Sequence, residues 1–135
     1  RYLCRTAQIK ILRIAENTNP VTICTDYIHA NYQNDITLTS LCELVHLNRT
    51  TLHHRFKPQL NCTCIEYLLH YRLKIAQELL SNTNLKIEEI SSQCGFKYGS
   101  YFNRQFTKCL GISQSEFRKN PTGYSSFEGV KVRKL

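Results

Sequence analysis

The chain has 135 residues, of which 41% are hydrophobic, and this suits one domain or two very small ones. With only five glycines and three prolines, helices are favoured over a turn-rich sheet protein. No apolar run reaches the roughly 18 residues that a membrane span needs, and no secretory signal is visible. The net charge of +8 favours nucleic acid or an anionic surface as partner.

Seven cysteines at irregular spacing predict reduced thiols in a cytosolic protein. Cys62 and Cys64 form the only close pair, whereas a structural zinc site usually has two close pairs, with roughly 2–4 residues between the ligands of each. We therefore predict no metal and no cofactor. A redox-sensing role for Cys62 and Cys64 stays open, but it rests only on their proximity. Because the chain starts with arginine and has no methionine, we expect a fragment or a processed form.

The first predicted element is a basic helical extension at 1–17, which we expect to be the end of an upstream region. Thr18-Asn19-Pro20 breaks it. A second helix is predicted over 21–32, with Val21, Cys24 and Ile28 on one side, and Gln33-Asn34-Asp35 forms the turn after it.

An internal repeat begins at Thr37. The first helices of the two copies match at an offset of 49, and the second helices at an offset of 50, because the second copy has one extra residue between them. The matched pairs are Leu38 with Ile87, Leu41 with Ile90, Cys42 with Ser91, Val45 with Cys94, His46 with Gly95, Leu47 with Phe96, Leu52 with Phe102, Phe56 with Phe106, and Leu60 with Leu110. Short helix, tight turn and second helix indicate two helix-turn-helix units.

Both copies end on the same local signals. Thr63-Cys64-Ile65-Glu66 and Ser113-Gln114-Ser115-Glu116 fit the capping box, in which a hydroxyl and a glutamate bond reciprocally across the first turn of a helix. Asn61 and Gly111 fit the left-handed residue that ends the preceding helix. Because these signals occur in the same order in both copies, they support the repeat much more strongly than a single match would.

The longest predicted helix joins the two copies, and it is apolar around most of its girth, which favours a central position. We predict an all-α fold with two helix-turn-helix subdomains joined by this long central helix, about seven helices in all besides the N-terminal extension. The expected boundaries are 1–17 for the extension, 18–62 for the first subdomain, 63–81 for the linker helix, 82–120 for the second subdomain and 121–135 for a basic C-terminal tail.

The second helix of each unit is predicted to contact double-stranded DNA. Residues 48–57 and 97–109 carry cations and no acid, although two merely solvated helix faces remain an alternative. Arg104 can bind guanine bidentately, and Asn103 can do the same with adenine. The predicted base-reading residues are Thr50, His53, His54, Ser100, Asn103 and Arg104. The predicted phosphate contacts are Arg49, Lys57, Lys97 and Lys108. Such contacts position the protein on the duplex but do not distinguish one base sequence from another.

Three further residues are assigned to packing or structure. We expect Tyr98 and Tyr101 to pack, and Arg72 to be structural on the linker helix, paired with a carboxylate. Two units on one spacer can reach adjacent major grooves, which lie about 34 Å apart on one side of B-DNA. A monomer of this kind would bind an asymmetric site.

Several stretches have a specific family pattern. They are Gly95-Phe96, Tyr101-Phe102-Asn103-Arg104-Gln105-Phe106, Gly111-Ile112-Ser113, Glu116-Phe117-Arg118, Tyr67-Leu68, Arg72 and Ala76-Gln77-Glu78-Leu79-Leu80. They resemble the C-terminal DNA-binding domain of the AraC/XylS transcription regulators over about residues 21–120. The resemblance implies seven helices, promoter binding, activation partly by contact with RNA polymerase, and a bacterial cytoplasmic protein at the nucleoid. It also implies an upstream ligand-sensing or dimerisation domain.

The sequence departs from that family at four positions. Cys42 stands at a usual Ala, His46 and Asn61 stand at usual Gly positions, and Gln114 stands at a usual Pro. Since most departures lie in or just after the first unit, we expect 97–108 to provide the firmer half-site contact and 48–57 the more adaptable one.

Two other functions stay open. A protein-interaction domain could keep the fold without the DNA contacts, although the acid-free second helices argue against it. A cysteine-based DNA-repair protein would need an activated, usually metal-bound thiolate. Because no catalytic constellation is present, we predict that the chain is not an enzyme.

Overall fold

The computed structural model describes residues 19–121, and these residues form seven α-helices and no strand. The helices are α1 (Pro20–Asn31), α2 (Leu38–Val45), α3 (Arg49–Leu60), α4 (Cys64–Asn82), α5 (Ile87–Gln93), α6 (Gly99–Leu110) and α7 (Gln114–Lys119). The predicted all-α class and the approximate number of helices are confirmed. The predicted extension at 1–17 and nearly all of the predicted tail lie outside the described residues.

Helix α1 begins one residue earlier than predicted. Asn19 caps it, because Oδ1 of Asn19 accepts a hydrogen bond from the N–H of Val21 at 3.0 Å. Pro20 is the first helical residue, where a missing N–H costs nothing and the fixed φ suits the helix. The proline that we predicted as part of a break is therefore part of the helix start.

The two predicted capping boxes are present at the starts of α4 and α7. The N–H of Glu66 bonds to Oγ1 of Thr63 at 3.1 Å, and the N–H of Thr63 bonds to the Glu66 carboxylate at 2.9 Å. Ser113 and Glu116 make the same reciprocal pair at 3.2 and 3.3 Å. Because each box satisfies two N–H groups that the helix leaves unpaired, both helix starts are determined locally.

The apolar side chains form two separate clusters that share α4. The first cluster contains Val21, Cys24, Ile28, Ile36, Leu41, Leu52, Phe56, Cys62, Cys64, Tyr67 and Leu68. The second contains Leu73, Ala76, Leu80, Ile90, Cys94, Phe96, Phe102, Phe106 and Phe117. The first turns of α4 thus complete one core and its later turns complete the other. At about 1.5 Å per residue, its 19 residues span about 28 Å.

Helix α3 extends to Leu60, contains Pro58 in its last turn and ends at the left-handed Asn61, as predicted. The prediction that α4 is apolar around most of its girth is wrong in one detail, since Ile65 is 39% exposed. His70 and Gln77 are buried on α4 instead, so the buried face includes polar side chains that hydrophobic periodicity does not select.

Candidate nucleic-acid interface

Helix α3 carries the predicted contacts of the first unit. Asn48 caps it, since its side-chain oxygen accepts from the N–H of Thr51 at 2.8 Å. Leu52 and Phe56 are buried, so the opposite side of α3 faces solvent. The predicted contacts exposed there are Arg49, Thr50, His53, His54 and Lys57.

The exposed side chains of α3 do not all lie together. Arg49, Thr50 and His53 border one open cavity of about 470 Å³, which Ile65 also borders. The ring of His54 lies 6.2 Å from that of His53, measured between centroids and tilted by 54°. The first unit therefore presents a cation, a hydroxyl and an imidazole around one depression.

Helix α6 carries the predicted contacts of the second unit. Phe102 and Phe106 are fully buried, and their rings meet edge to face with centroids 5.9 Å apart. The predicted contacts exposed on α6 are Ser100, Asn103, Arg104 and Lys108, and Lys97 is exposed just before the helix. Because neither α3 nor α6 contains an acidic residue, both outer faces combine cations with hydrogen-bonding groups.

The two tyrosines near the start of α6 differ in how far they pack against the protein. Tyr98 is 69% exposed, so its assignment to packing is wrong. It has extended backbone at the N-cap position, outside the helix, and makes no side-chain cap hydrogen bond. Tyr101 is 40% exposed, and one side of it faces Phe96 at 6.2 Å between ring centroids.

The turns of the two units differ in length but share a left-handed residue at the matched position. His46 has φ 58° and Gly95 has φ 93°, so both occupy the left-handed region at equivalent positions. A side chain at position 95 has no room, because a Cβ there would lie 2.5 Å from the carbonyl oxygen of Tyr32. Asn61 and Gly111 are also left-handed, as predicted, at φ 60° and 82°.

Asn103 has a partner that sequence reasoning did not find. Nε2 of Gln114, a residue that is 5% exposed, donates a hydrogen bond to Oδ1 of Asn103. The amide oxygen that a bidentate contact to adenine would use is therefore engaged within the protein. The unusual residue at position 114 was the available signal, but its distance from Asn103 depends on how α7 packs against α6.

Lys97 also has a partner. Its Nζ lies 3.8 Å from a carboxylate oxygen of Asp35, and both side chains are largely exposed. An exposed pair of this kind adds little stability, so Lys97 can exchange Asp35 for another anion at small cost. Nothing in the sequence connects residues 62 positions apart.

Arg72 connects the two units. Its Nε donates to the carbonyl of Tyr32 and its Nη2 to the carbonyl of Asn34, both at 2.8 Å. The predicted structural role fits, but these hydrogen-bond partners are main-chain carbonyls and not a carboxylate. Burial lowers the pKa of the Arg72 guanidinium, and the charge of Asp35 opposes that shift.

The cysteines of the described region are mostly buried. Cys62 and Cys64 are 2% and 3% exposed, and burial raises the pKa of both thiols to about 11. The pKa values of Cys24 and Cys94 are raised to about 12 for the same reason. Thiolates are therefore scarce at neutral pH in these positions, which counts against a reactive or redox-sensing role.

The described residues contain no helix long and apolar enough to cross a membrane. Within 19–121, no three potential protein ligands come together in a way that could hold a metal ion.

Two helix-turn-helix units on one central helix define a bipartite helix-turn-helix protein, and comparison with known proteins identifies its family. Residues 41–120 match the family described as "Helix-turn-helix domain". The lactose operon transcription activator of Staphylococcus xylosus is 40% identical over 93 residues, which is 69% of this chain and 33% of that protein. The chain therefore spans about a third of the length of that relative.

A solved structure supports the same family. It is the C-terminal domain of the two-component response regulator YesN from Fusobacterium nucleatum subsp. nucleatum, with 32% identity and a TM-score of 0.68. The similarity covers 72% of this chain and 95% of that domain. The chain belongs to the AraC/XylS family of transcription regulators, and its described residues have the fold of the C-terminal DNA-binding domain.

One relative combines two activities. The bifunctional transcriptional activator/DNA repair enzyme AdaA of Bacillus subtilis is 30% identical over 111 residues, covering 82% of this chain and 53% of that protein.

Proposed function

We propose that this chain is the DNA-binding part of a transcription activator, which inserts α3 and α6 into successive major grooves of a promoter. The observation that carries the proposal is the same arrangement in both units. Each second helix buries two large apolar residues and exposes cations, amides, imidazoles or hydroxyls with no acid among them. Such a face attracts phosphates and offers donors to base edges.

The exposed residues divide into two roles. Arg104, Asn103 and Ser100 read bases from α6, and Thr50, His53 and His54 read them from α3. The cations Arg49, Lys57, Lys97 and Lys108 contact phosphates and hold both helices in register. Because the two faces differ in sequence, the preferred site is asymmetric.

Activation would act through further partners. The names of relatives such as the lactose operon transcription activator support an activating role. We infer that the promoter-bound protein contacts RNA polymerase, and that dimerisation, if it occurs, uses a domain upstream of this one. A reconstituted transcription assay with purified polymerase tests the first inference, because the chain should raise initiation from a promoter that carries its selected site.

The proposal is tested by binding to selected duplexes at several salt concentrations. We assign four phosphate contacts, so the logarithm of the association constant should fall with the logarithm of the salt concentration, and the slope should be roughly −4. Replacing Lys108 by alanine should flatten that slope by about one. An affinity that does not change with salt concentration would instead favour a function as a protein-interaction domain.

We infer regulation and not DNA repair for this chain. The repair activity in the name of the Bacillus relative would need an activated thiolate, and burial raises the thiol pKa of Cys24, Cys62, Cys64 and Cys94. Stoichiometric zinc found by elemental analysis would count against this inference.

A further inference from the structure

Gln114 lies outside both helix-turn-helix units, yet it contacts a candidate base-reading side chain. It is the first residue of α7 and is buried, whereas Asn103 is exposed on α6. The side-chain amide of Gln114 donates from Nε2 to Oδ1 of Asn103. A buried amide therefore orients an exposed one.

Several contacts fix α7 beside α6, so Gln114 is held in place. Ser113 and Glu116 form the capping box at the start of α7. The ring of Phe117 meets that of Phe106 edge to face, with centroids 5.8 Å apart. Arg118 donates to the carbonyls of Leu80 and Thr83 at 3.1 and 3.2 Å, which connects α7 to the end of α4.

The direction of the hydrogen bond determines which amide atom Asn103 offers outward. An asparagine that reads adenine uses both atoms, since its oxygen accepts from N6 and its nitrogen donates to N7. Oδ1 of Asn103 is turned to Gln114, so the donor Nδ2 is the atom directed away from that contact. Acceptors in the major groove are N7 and O6 of guanine, O4 of thymine and N7 of adenine, which lies beside the N6 donor, whereas cytosine presents only a donor.

We propose that Gln114 is a specificity-determining residue: by holding Oδ1 of Asn103, it selects guanine or thymine over cytosine at one position of the site. Gln114 does this without touching DNA. The inference rests on the proposed function, because it takes α6 to lie in the major groove. It also replaces the expected bidentate contact with adenine by a contact in which Asn103 only donates.

The first unit provides an internal comparison. The offset of 50 places Cys64 at the position of Gln114 and His53 at the position of Asn103. Cys64 and His53 border the same cavity, but a buried thiol is a weak donor and His53 has an imidazole in place of the amide. The orientation of a base-reading amide by a buried glutamine is thus a property of the second unit.

The test uses the full chain and three variants. A random-duplex selection first defines the site, and affinities are then measured on duplexes with each base at each position. Asn103→Ala should equalise the bases at one position, where the unchanged protein prefers guanine or thymine by roughly two- to tenfold. Gln114→Glu, which can only accept when ionised, should turn Nδ2 of Asn103 inward and shift the preference to cytosine there.

Further variants separate orientation from folding. Gln114→Met keeps the length without the amide and should reduce the preference at that position to below about twofold. The double variant Asn103→Ala/Gln114→Glu should match Asn103→Ala alone. Cys64→Ser is the matched control and should leave this position unchanged. If circular dichroism shows that Gln114→Glu is unfolded, Gln114→Met decides the question.

The outcomes distinguish the inference from the proposed function. The inference is overturned if the folded Gln114 variants keep the original preference, or if Asn103→Ala alters no position; DNA binding stands in both cases. The proposed function itself fails if the unchanged protein selects no sequence and its affinity ignores salt.

Discussion

Arg104 is the clearest base-reading candidate at the scale of single residues. Its guanidinium carbon lies 5.8 Å from the centre of the Tyr101 ring, one turn back on α6. A cation over an aromatic face at this distance is weakly attracted, so the long side chain is restrained while its donors stay accessible. The restraint lowers the entropy that Arg104 would lose on binding a base.

Replacement of Arg104 by alanine should cost about 1–3 kcal/mol of binding free energy on the preferred duplex and relax specificity at one base pair. The reason is the loss of a bidentate contact to guanine. Lys108→Ala is the matched control on the same helix, and it should weaken binding to every duplex alike. If Arg104→Ala lost the same affinity on all sequences, Arg104 would instead be a phosphate contact.

At the scale of elements, the two helix-turn-helix units both need a left-handed residue in the turn but fill that position differently. Gly95 adopts a left-handed φ without strain and leaves room for the Tyr32 carbonyl. His46 adopts the same region with a side chain, which costs about 1–2 kcal/mol for a residue with a Cβ. The first unit therefore forms the motif with a less suitable turn residue.

His46→Gly should raise the free energy of unfolding by about 1 kcal/mol, because it removes that strain and the gain exceeds glycine's entropic cost. Denaturant titration measures the change. Gly95→Ala should lower the same quantity by about 2 kcal/mol or more, since the new Cβ meets the carbonyl oxygen of Tyr32.

The control for both turn variants is Gly99→Ala. Gly99 begins α6, and an added Cβ there would meet nothing within 4 Å. Alanine should leave stability unchanged or raise it by a few tenths of a kcal/mol. Loss of stability in His46→Gly would show that the histidine side chain makes a contribution larger than its backbone strain.

At the scale of the whole molecule, α4 and Arg72 join the two cores. The early turns of α4 complete the first core and the later turns the second. Arg72 reaches from the middle of α4 to the end of α1, and its guanidinium would lie 3.0 Å from a Cβ at Gly95. The end of the first helix, the linker and the turn of the second unit therefore meet at one arginine.

Arg72→Ala should lower the free energy of unfolding by about 2–3 kcal/mol, because the part-buried carbonyl of Tyr32 and the exposed carbonyl of Asn34 both lose charge-assisted donors. Arg72→Lys should recover little, since one ammonium cannot occupy the positions of Nε and Nη2 together. Denaturant titration measures both variants. Lys74→Ala, on the same helix, should change stability by no more than about 0.5 kcal/mol.

Most of the fold could be predicted because its signals are local and occur twice. The repeat matched Leu52 with Phe102 and Phe56 with Phe106 by their apolar spacing, and all four are buried. The capping boxes and the left-handed residues were predictable because they depend on neighbours within one turn of helix. The outer faces of α3 and α6 followed from the same periodicity.

By itself, the sequence determined the helices, their order and the exposed faces of α3 and α6. Only the tertiary structure decided the partners of individual polar side chains: Asn103 with Gln114, Lys97 with Asp35, and Arg72 with the carbonyls just after α1. The reason is that helical periodicity specifies only the side of its own helix on which a residue lies. A hydrogen bond between two elements also depends on how closely those elements pack. For the second helix-turn-helix unit, this means that its recognition helix is predictable from sequence, but the orientation of the amide it offers is not.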